Sequence, residues 1–563
     1  MAGKYDWPLD HNSYLMNAKD VVVRLRNHPS LIMYGGGNEL LPIPPETNTD
    51  QSNGPGTSPP RDIDNGLRTY ISSLDGSRSY VSSSVTDIGD AFDPERSLGP
   101  KDGPYGMLNE KVFFDRNPGL TSPLLRDEEA NNNLSPSDTD DKDSAGRNIG
   151  FQTEIGSVSH PELQSLKRFL SEEAIDAFPD CGVIDEHSKS VHQEWSYFKH
   201  LPFAENDSRI DHICQFQFPP VTDISSNTRM DTIEDYTWAA QLAQYFQYKA
   251  LFEGYLLRMF EHNSAVFLWK SSSPAPTLRG ALYDWYLETN GGYWGARAGV
   301  GIGAVKVVLN LQDWTLHVVN SAPTKITTSL LRWRAFSLDG KSVKSGGMTV
   351  PNGEVEGNFV TDIKLPMDNT PVSISWLGGN ITSVAQDLNL QDVLIYRFEL
   401  SYKQLNSDTS MKATNSYFLT DPNMNDWHNR QSKYALLGAL RKSYPKMQVT
   451  ASCTKRSLGS HIDCELKNAG DRVAIMVKVS LIKYQNDLAS SNVENRVLPT
   501  YFSTNYVTLL PNESTDVQVS TIGEEILCSD GYVVPSKSPG SRLILSFDGW
   551  NVQDGIAQIS CDG

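Results

Sequence analysis

The stretch Asn27-His28-Pro29-Ser30-Leu31-Ile32-Met33-Tyr34-Gly35-Gly36-Gly37-Asn38-Glu39 ends on a carboxylate placed where it could do acid–base chemistry. Leu31 to Tyr34 is a short apolar run behind a helix-breaking proline, the pattern of a strand in a parallel sheet. Gly35 to Gly37 let the backbone bend or be approached closely, as where a strand opens into a site. A glutamate at the C-terminal end of such a strand stands where barrel enzymes carry catalytic residues. The same residue also fits a solvated loop after an ordinary strand. On these residues alone both readings stay open.

The surrounding elements must position that carboxylate. Tyr14, Leu15, Ala18, Val21, Val22 and Leu25 recur at helical spacing and predict an amphipathic helix ending before Pro29. Leu67 to Leu74 predicts a short helix and Arg78 to Ser83 a second strand. Asn148 to Thr153 predicts a third strand, leading into Glu154-Ile155-Gly156. Pro161 opens a helix carrying Leu163, Leu166, Phe169 and Leu170. Ile233 to Met259 reads as a long helix, Ala265 to Trp269 as a buried strand, and Leu278 to Leu287 as a final helix. Two polar insertions, Pro42 to Asp62 and Arg126 to Arg147, interrupt this α/β pattern and read as solvated loops. After Gly299 the character changes. Val305 to Leu311, Thr315 to Asn320, Leu330 to Phe336 and Val393 to Leu400 are β runs broken by turns. From Gln448 the pattern restarts with Val449 to Cys453, His461 to Leu466, Val473 to Ile482 and Tyr506 to Leu510. Such spacing predicts two β-sandwich modules.

Composition narrows the class. The chain has 563 residues, 39% of them hydrophobic, including 20 Phe, 23 Tyr and 11 Trp, which suffices for several packed cores. A net charge of -19 disfavours nucleic acid and anionic membrane surfaces, both of which repel it. A neutral ligand is more natural, and the aromatics suit the apolar faces of sugar rings as well as they suit a core. No apolar run is long enough to span a bilayer, and Met1 to Pro8 lacks the apolar core of a signal peptide. Sequons at Asn133, Asn206, Asn380 and Asn512 point weakly toward a secretory or vacuolar route. The six cysteines, Cys181, Cys214, Cys453, Cys464, Cys528 and Cys561, have no zinc-type spacing. Cys453 and Cys464 face one another across a predicted hairpin, where a pair of reduced, buried thiols is expected if the chain is cytosolic.

Taken together, the residues resemble glycoside hydrolase family 2, and within it the plant mannosylglycoprotein endo-β-mannosidase branch. Asn27-His28-Pro29-Ser30-Leu31 with Gly37-Asn38-Glu39 matches that family's acid/base motif. Trp7-Pro8-x-Asp10-His11 and Ala18-Lys19-Asp20 fit the same branch. Phe151-x-x-Glu154-x-Gly156-Ser157-Val158 resembles the nucleophile motif, with Thr153 where a proline usually stands. Tyr248-Lys249-Ala250-Leu251-Phe252-Glu253-Gly254, Leu268-Trp269-Lys270 and Leu278-Arg279-Gly280-x-x-Tyr283-Asp284 extend the match. So do Val497-Leu498-Pro499-x-Tyr501-x-x-x-Asn505-Tyr506 and Gly549-Trp550-Asn551. Ala275 and Phe198 depart from it, replacing a usual tryptophan and histidine.

The resemblance implies residues 1–300 as the C-terminal part of a (β/α)8 TIM barrel, from strand four onward. Residues 301–447 and 448–563 would each be a β-sandwich of immunoglobulin type. Relatives begin with two further sandwiches and the first barrel strands, so the chain is expected to be N-terminally truncated and of doubtful activity. It implies a retaining β-glycosidase with Glu39 as acid/base and Glu154 as nucleophile. Asn38 would donate to the sugar 2-hydroxyl and Trp269 would floor the subsite. Trp195 and Tyr197 would line the cleft or pack in the core. No metal or redox cofactor is needed. The expected substrate is the Man-β-1,4-GlcNAc linkage of N-glycan cores. The alternatives are exo-β-D-glucosaminidase or exo-β-mannosidase action, or a remnant that at most binds glycans. A basic amino sugar would want a further carboxylate near its 2-position, and neutral Asn38 leans against it.

Overall fold

In the computed structural model the described residues are 10–38, 60–83, 110–114, 151–156, 159–179, 192–198, 230, 232–260, 264–278, 281–312, 315–363, 393–405, 407–419, 433–456, 461–484, 495–522, 525–529, 531–537 and 540–562. The chain divides into two compact units. The first comprises 1–104, 116–156 and 258–269; the second comprises 105–115, 157–257 and 270–563. The first 300 residues are thus shared between the two.

The first unit is α/β. Helix α1 (His11–Leu25) starts where Asp10 accepts the Ser13 N–H at 3.0 Å, satisfying a donor that the helix cannot. It packs on α2 (Arg61–Leu74), and Val22, Ile63, Leu67 and Ile71 form a small core with Tyr80. Strands β1 (Met33–Gly35) and β2 (Ser79–Val81) pair in parallel, with Tyr34 opposite Tyr80. Strands β3 (Phe151–Ile155) and β4 (Ala265–Leu268) form a second parallel pair. The third strand therefore ends two residues later than expected, at Ile155, and Glu154 lies inside it rather than after it; residues 148–150 lie outside the described residues. Of the insertion at Pro42 to Asp62, Arg61 and Asp62 open α2 and residues 42–59 lie outside the described residues, as does Arg126 to Arg147.

In the second unit the helix after Pro161 is one short turn, α3 (Leu163–Leu166), followed by α4 (Glu172–Asp176) and α5 (Gln193–Tyr197). Helix α6 (Ile233–Leu256) is capped by Thr232 and buried around most of its circumference, as its lack of a polar face requires. Its Glu253 carboxylate is fully buried and is held by Lys249 at 2.8 Å, Lys306 at 3.1 Å, Asn415 at 2.7 Å and Tyr417 at 3.0 Å. The Lys249 to Glu253 motif is therefore a buried tie between α6 and the first β region.

Among the described residues of Leu278 to Leu287, which are 278 and 281–287, there is no helix. Asp284 accepts the N–H groups of Tyr286 and Glu288 at 2.8 and 3.0 Å, and Tyr283 bridges Ser272 and Thr289. Side-chain capture of nearby N–H groups competes with the helix. The helix forms later, as α7 (Gly291–Val300), with Asn290 as its cap.

The β regions follow the alternation read from the sequence. Strands β5 (Val305–Leu309), β6 (Leu316–Asn320) and β10 (Phe359–Ile363) form a three-stranded antiparallel sheet, order β10-β6-β5. Strands β7 (Ile326–Ser337), β8 (Ser342–Met348), β11 (Leu394–Gln404) and β12 (Met411–Leu419) run β12-β11-β7-β8, with β9 (Glu354–Val355) on β7. Helix α8 (Lys433–Ser443) separates these from a ten-stranded sheet built from residues 449–562. Among the described residues no strand ladder joins the two groups. In β14 (Ile462–Asn468) buried and exposed residues alternate strictly, the mark of a half-buried antiparallel strand. Cys453 and Cys464 sit opposite one another in this sheet and are joined as a disulfide, and Cys528 bonds Cys561. A reduced pair is the expectation for a cytosolic chain alone; in this fold antiparallel register brings the two Cα atoms to 4.1 Å and the sulfurs are joined.

Candidate active site

Glu154 is the penultimate residue of β3 and is half-buried. The ladder with β4 pairs Gln152 with Val266 but Ile155 with Leu268, so one extra residue is accommodated at Thr153-Glu154. A bulge there breaks the simple alternation and re-aims the side chain, a device common beside active sites. The strand end is locked to its neighbour, because the Trp269 N–H donates to the Ile155 carbonyl at 2.9 Å. Gly156 is required by the same approach, since a Cβ there would collide with the Trp269 carbonyl oxygen. The structure thus brings Glu154 and Trp269 together at the C-terminal ends of adjacent parallel strands. Trp269 is half-buried.

The other strand pair carries Asn38. The Gly36 N–H continues the ladder by donating to the Val81 carbonyl at 2.9 Å. A Cβ on Gly36 would collide with the Tyr80 hydroxyl and meet the Ser82 carbonyl at 2.8 Å, so only glycine fits. Asn38 follows two residues on and is half-buried. Glu39 lies outside the described residues.

A polar network fixes this strand from behind, and local sequence patterns do not reveal it. Arg78 donates to three carbonyls of the segment before β1: Leu31 at 2.6 Å, Arg26 at 2.8 Å and His28 at 2.9 Å. It also pairs with Asp75 at 2.9 Å, and Asp75 accepts the Tyr34 hydroxyl at 2.8 Å. The Ser77 hydroxyl first, then Tyr34 and Arg78, hold the Asp75 carboxyl down to about 2. Burial and the Asp75 charge push Tyr34 up to about 12, so it stays a neutral donor. On β2, Tyr80 donates to Asp64 at 2.9 Å, and Arg68 bonds both Asp64 and Ser82. The only signal is Asp75-x-Ser77-Arg78 ahead of a strand. Its partners lie about fifty residues upstream, beyond the reach of any local pattern.

The two remaining aromatics belong to the second unit. Of the two places open to Trp195, cleft lining is corrected to the core. The residue is fully buried, its indole N–H donates to the Ala174 carbonyl at 2.8 Å, and its ring packs edge-on against Tyr236. Such a side chain offers no face to a ligand. Tyr197, two residues on, is 77% exposed and touches Phe198.

The chain is 24% identical to a mannosylglycoprotein endo-beta-mannosidase of Lilium longiflorum, over 97% of its own length and 54% of the relative's. It is thus similar, over nearly its whole length, to a glycoside hydrolase. An exo-beta-D-glucosaminidase of Arthroderma benhamiae is 21% identical over 92% of this chain and 48% of its own. Among solved structures, the exo-chitosanase of Amycolatopsis orientalis superposes with a TM-score of 0.61 at 17% identity, covering 98% of this chain and 54% of that one. A beta-D-mannosidase from Dictyoglomus thermophilum gives 0.55 at 14% identity, over 98% and 52%. These structural likenesses are of fold. A family model described as the exo-beta-D-glucosaminidase Ig-fold domain matches residues 426–532. The chain spans about half the length of the curated relatives it matches.

Proposed function

We propose that this chain carries the catalytic carboxylates of a retaining β-glycosidase, with Glu154 as nucleophile and Glu39 as acid/base. The observation that carries the reading is Glu154 in a bulge at the end of a parallel strand, locked beside Trp269. Retention requires a second carboxyl roughly 5–5.5 Å from the nucleophile. In the closed barrel implied by the family, Glu39 would supply it from the end of the strand that β1 represents. Glu154 would attack the anomeric carbon while Glu39 protonates the departing oxygen. The resulting ester removes the Glu154 charge, and Glu39 then takes a proton from the incoming water. Asn38 would donate to the 2-hydroxyl, a contact that strengthens in the transition state. The Trp269 ring would floor the sugar.

The substrate favoured is the Man-β-1,4-GlcNAc linkage, because the lily relative covers nearly the whole chain. Exo-β-D-glucosaminidase action is the second reading, favoured by the Ig-fold match at residues 426–532. Incubating the protein separately with a mannosyl-chitobiose glycopeptide and with chitosan oligomers decides between them. Cleavage of the glycopeptide is expected. Preferential release of glucosamine would move the assignment to the second reading, and turnover of neither would overturn both.

A further inference from the structure

We propose that Asn512 is an N-glycosylation site and that this chain matures in an oxidising secretory compartment. Leu510-Pro511-Asn512-Glu513 is a tight turn between β17 (Val507–Leu509) and β18 (Ser514–Thr521), closed by the Glu513 N–H donating to the Leu510 carbonyl at 3.0 Å. Pro511 takes the position where its fixed φ is favoured, and Asn512 follows in the left-handed region at φ 63°. The turn is held rigidly. Glu513 is paired with Arg397 and accepts the Leu510 N–H at 2.7 Å, while the Asn512 N–H donates to the Asn468 carbonyl at 3.0 Å. The side chains of the acceptor tripeptide nevertheless point outward: both Asn512 and Ser514 are exposed.

Its neighbour shows what a structural asparagine looks like here. Asn468 is fully buried, and its amide donates to the carbonyls of Arg472 at 2.7 Å and Leu509 at 3.0 Å. A glycan could not be attached there, whereas at the Asn512 tip it would displace nothing. The other three sequons, at Asn133, Asn206 and Asn380, lie outside the described residues.

A sequon alone recurs by chance, and the cysteines supply the independent observation. The same domain closes two disulfides, Cys453–Cys464 and Cys528–Cys561, and no described cysteine is left as a thiol. Such bonds persist where thiols are oxidised and are rare where glutathione keeps them reduced. That compartment is also where asparagine amides meet a lipid-pyrophosphate-linked oligosaccharide. In the transfer, the Asn512 Nδ2 bonds the anomeric carbon of the first sugar and loses a proton. The bond from that carbon to the lipid pyrophosphate breaks, and the lipid pyrophosphate leaves. Each disulfide forms as two thiols give two electrons and two protons to a thiol–disulfide oxidoreductase.

The test uses protein isolated from cells that make it, with thiols blocked at lysis, digested without reductant and mapped by mass spectrometry. The expected result is Asn512 converted to aspartate by peptide-N-glycosidase, together with both cysteine pairs as linked peptides. Ser514→Ala should lose one glycan unit and keep the fold, because it leaves Asn512 in its turn. An unmodified Asn512 peptide, or free thiols at the four cysteines, would overturn the proposal. Neither outcome bears on the assignment of Glu154.

Discussion

The two units of this molecule are held together by different physics. In the second, antiparallel strands bury one face or both, and one continuous apolar cluster runs from Leu163 to Ile559. In the first, the buried cluster is Val22, Ile63, Leu67, Ile71 and Tyr80, and the strands are three to five residues long. What the first lacks in apolar area it replaces by polar ties and close backbone approach: Arg78 on three carbonyls, Asp75 on Tyr34, Gly156 against Trp269. Packing tolerates hydrophobic substitution of similar volume, whereas such ties depend on single atoms. The unit that holds the proposed nucleophile is the one built from single-atom constraints.

The sharpest way to separate the two is Glu154→Gln. If Glu154 is the nucleophile, kcat/KM should fall on the order of 10⁴-fold or more. The unfolding midpoint of the second unit should not move. A loss of activity matched by a loss of stability in the second unit would mean that the change acted through folding instead.

Gly156→Ala comes next. The added methyl must push the Trp269 backbone away, and overpacking of this kind costs about 1–3 kcal/mol. Differential scanning calorimetry should show the loss in the first unit alone, with activity falling because Trp269 and Glu154 lose their register. By contrast, a buried Leu→Ala change in the second unit costs about 2–5 kcal/mol through cavity formation and should leave the site's register intact.

The smallest effect is on pH dependence. Asp75 is held at about 2 in the folded protein against a reference of 3.8. As pH falls through that interval the unfolded chain takes up a proton that the folded unit refuses, so stability is lost on acidification. Above about 4 the contribution is complete. Urea midpoints measured at successive pH values should therefore drop more steeply for the parent than for Asp75→Asn over this window. Equal slopes would remove Asp75 from the account of the first unit.

This contrast also explains what can be read from the sequence. The antiparallel strands are legible because alternation is a local signal, seen throughout β14 and in the middle of β11. Strand β1 is legible from Pro29 and the glycines, and α6 from its length and apolar content. At Leu278 to Leu287 the apolar spacing misleads, because it hides the Asp284 side chain taking two N–H groups. Trp195 misleads because tryptophan type carries no direction; the Ala174 carbonyl and Tyr236 ring that enclose it are remote in sequence. The hairpin places Cys453 and Cys464 opposite one another, but the closeness that joins them emerges only from the register. The Arg78 network is invisible for the same reason. Of the site itself, Glu154 beside Trp269 is legible only through family motifs.

The most direct test is to trap the covalent intermediate. A 2-deoxy-2-fluoro-β-mannosyl fluoride slows departure of the sugar from the nucleophile, and mass spectrometry of the digested protein locates the ester. The account predicts one fluoromannosyl group on the Glu154 carboxylate and none on the Glu154→Gln variant. A label on any other residue, or unchanged labelling of that variant, would contradict it.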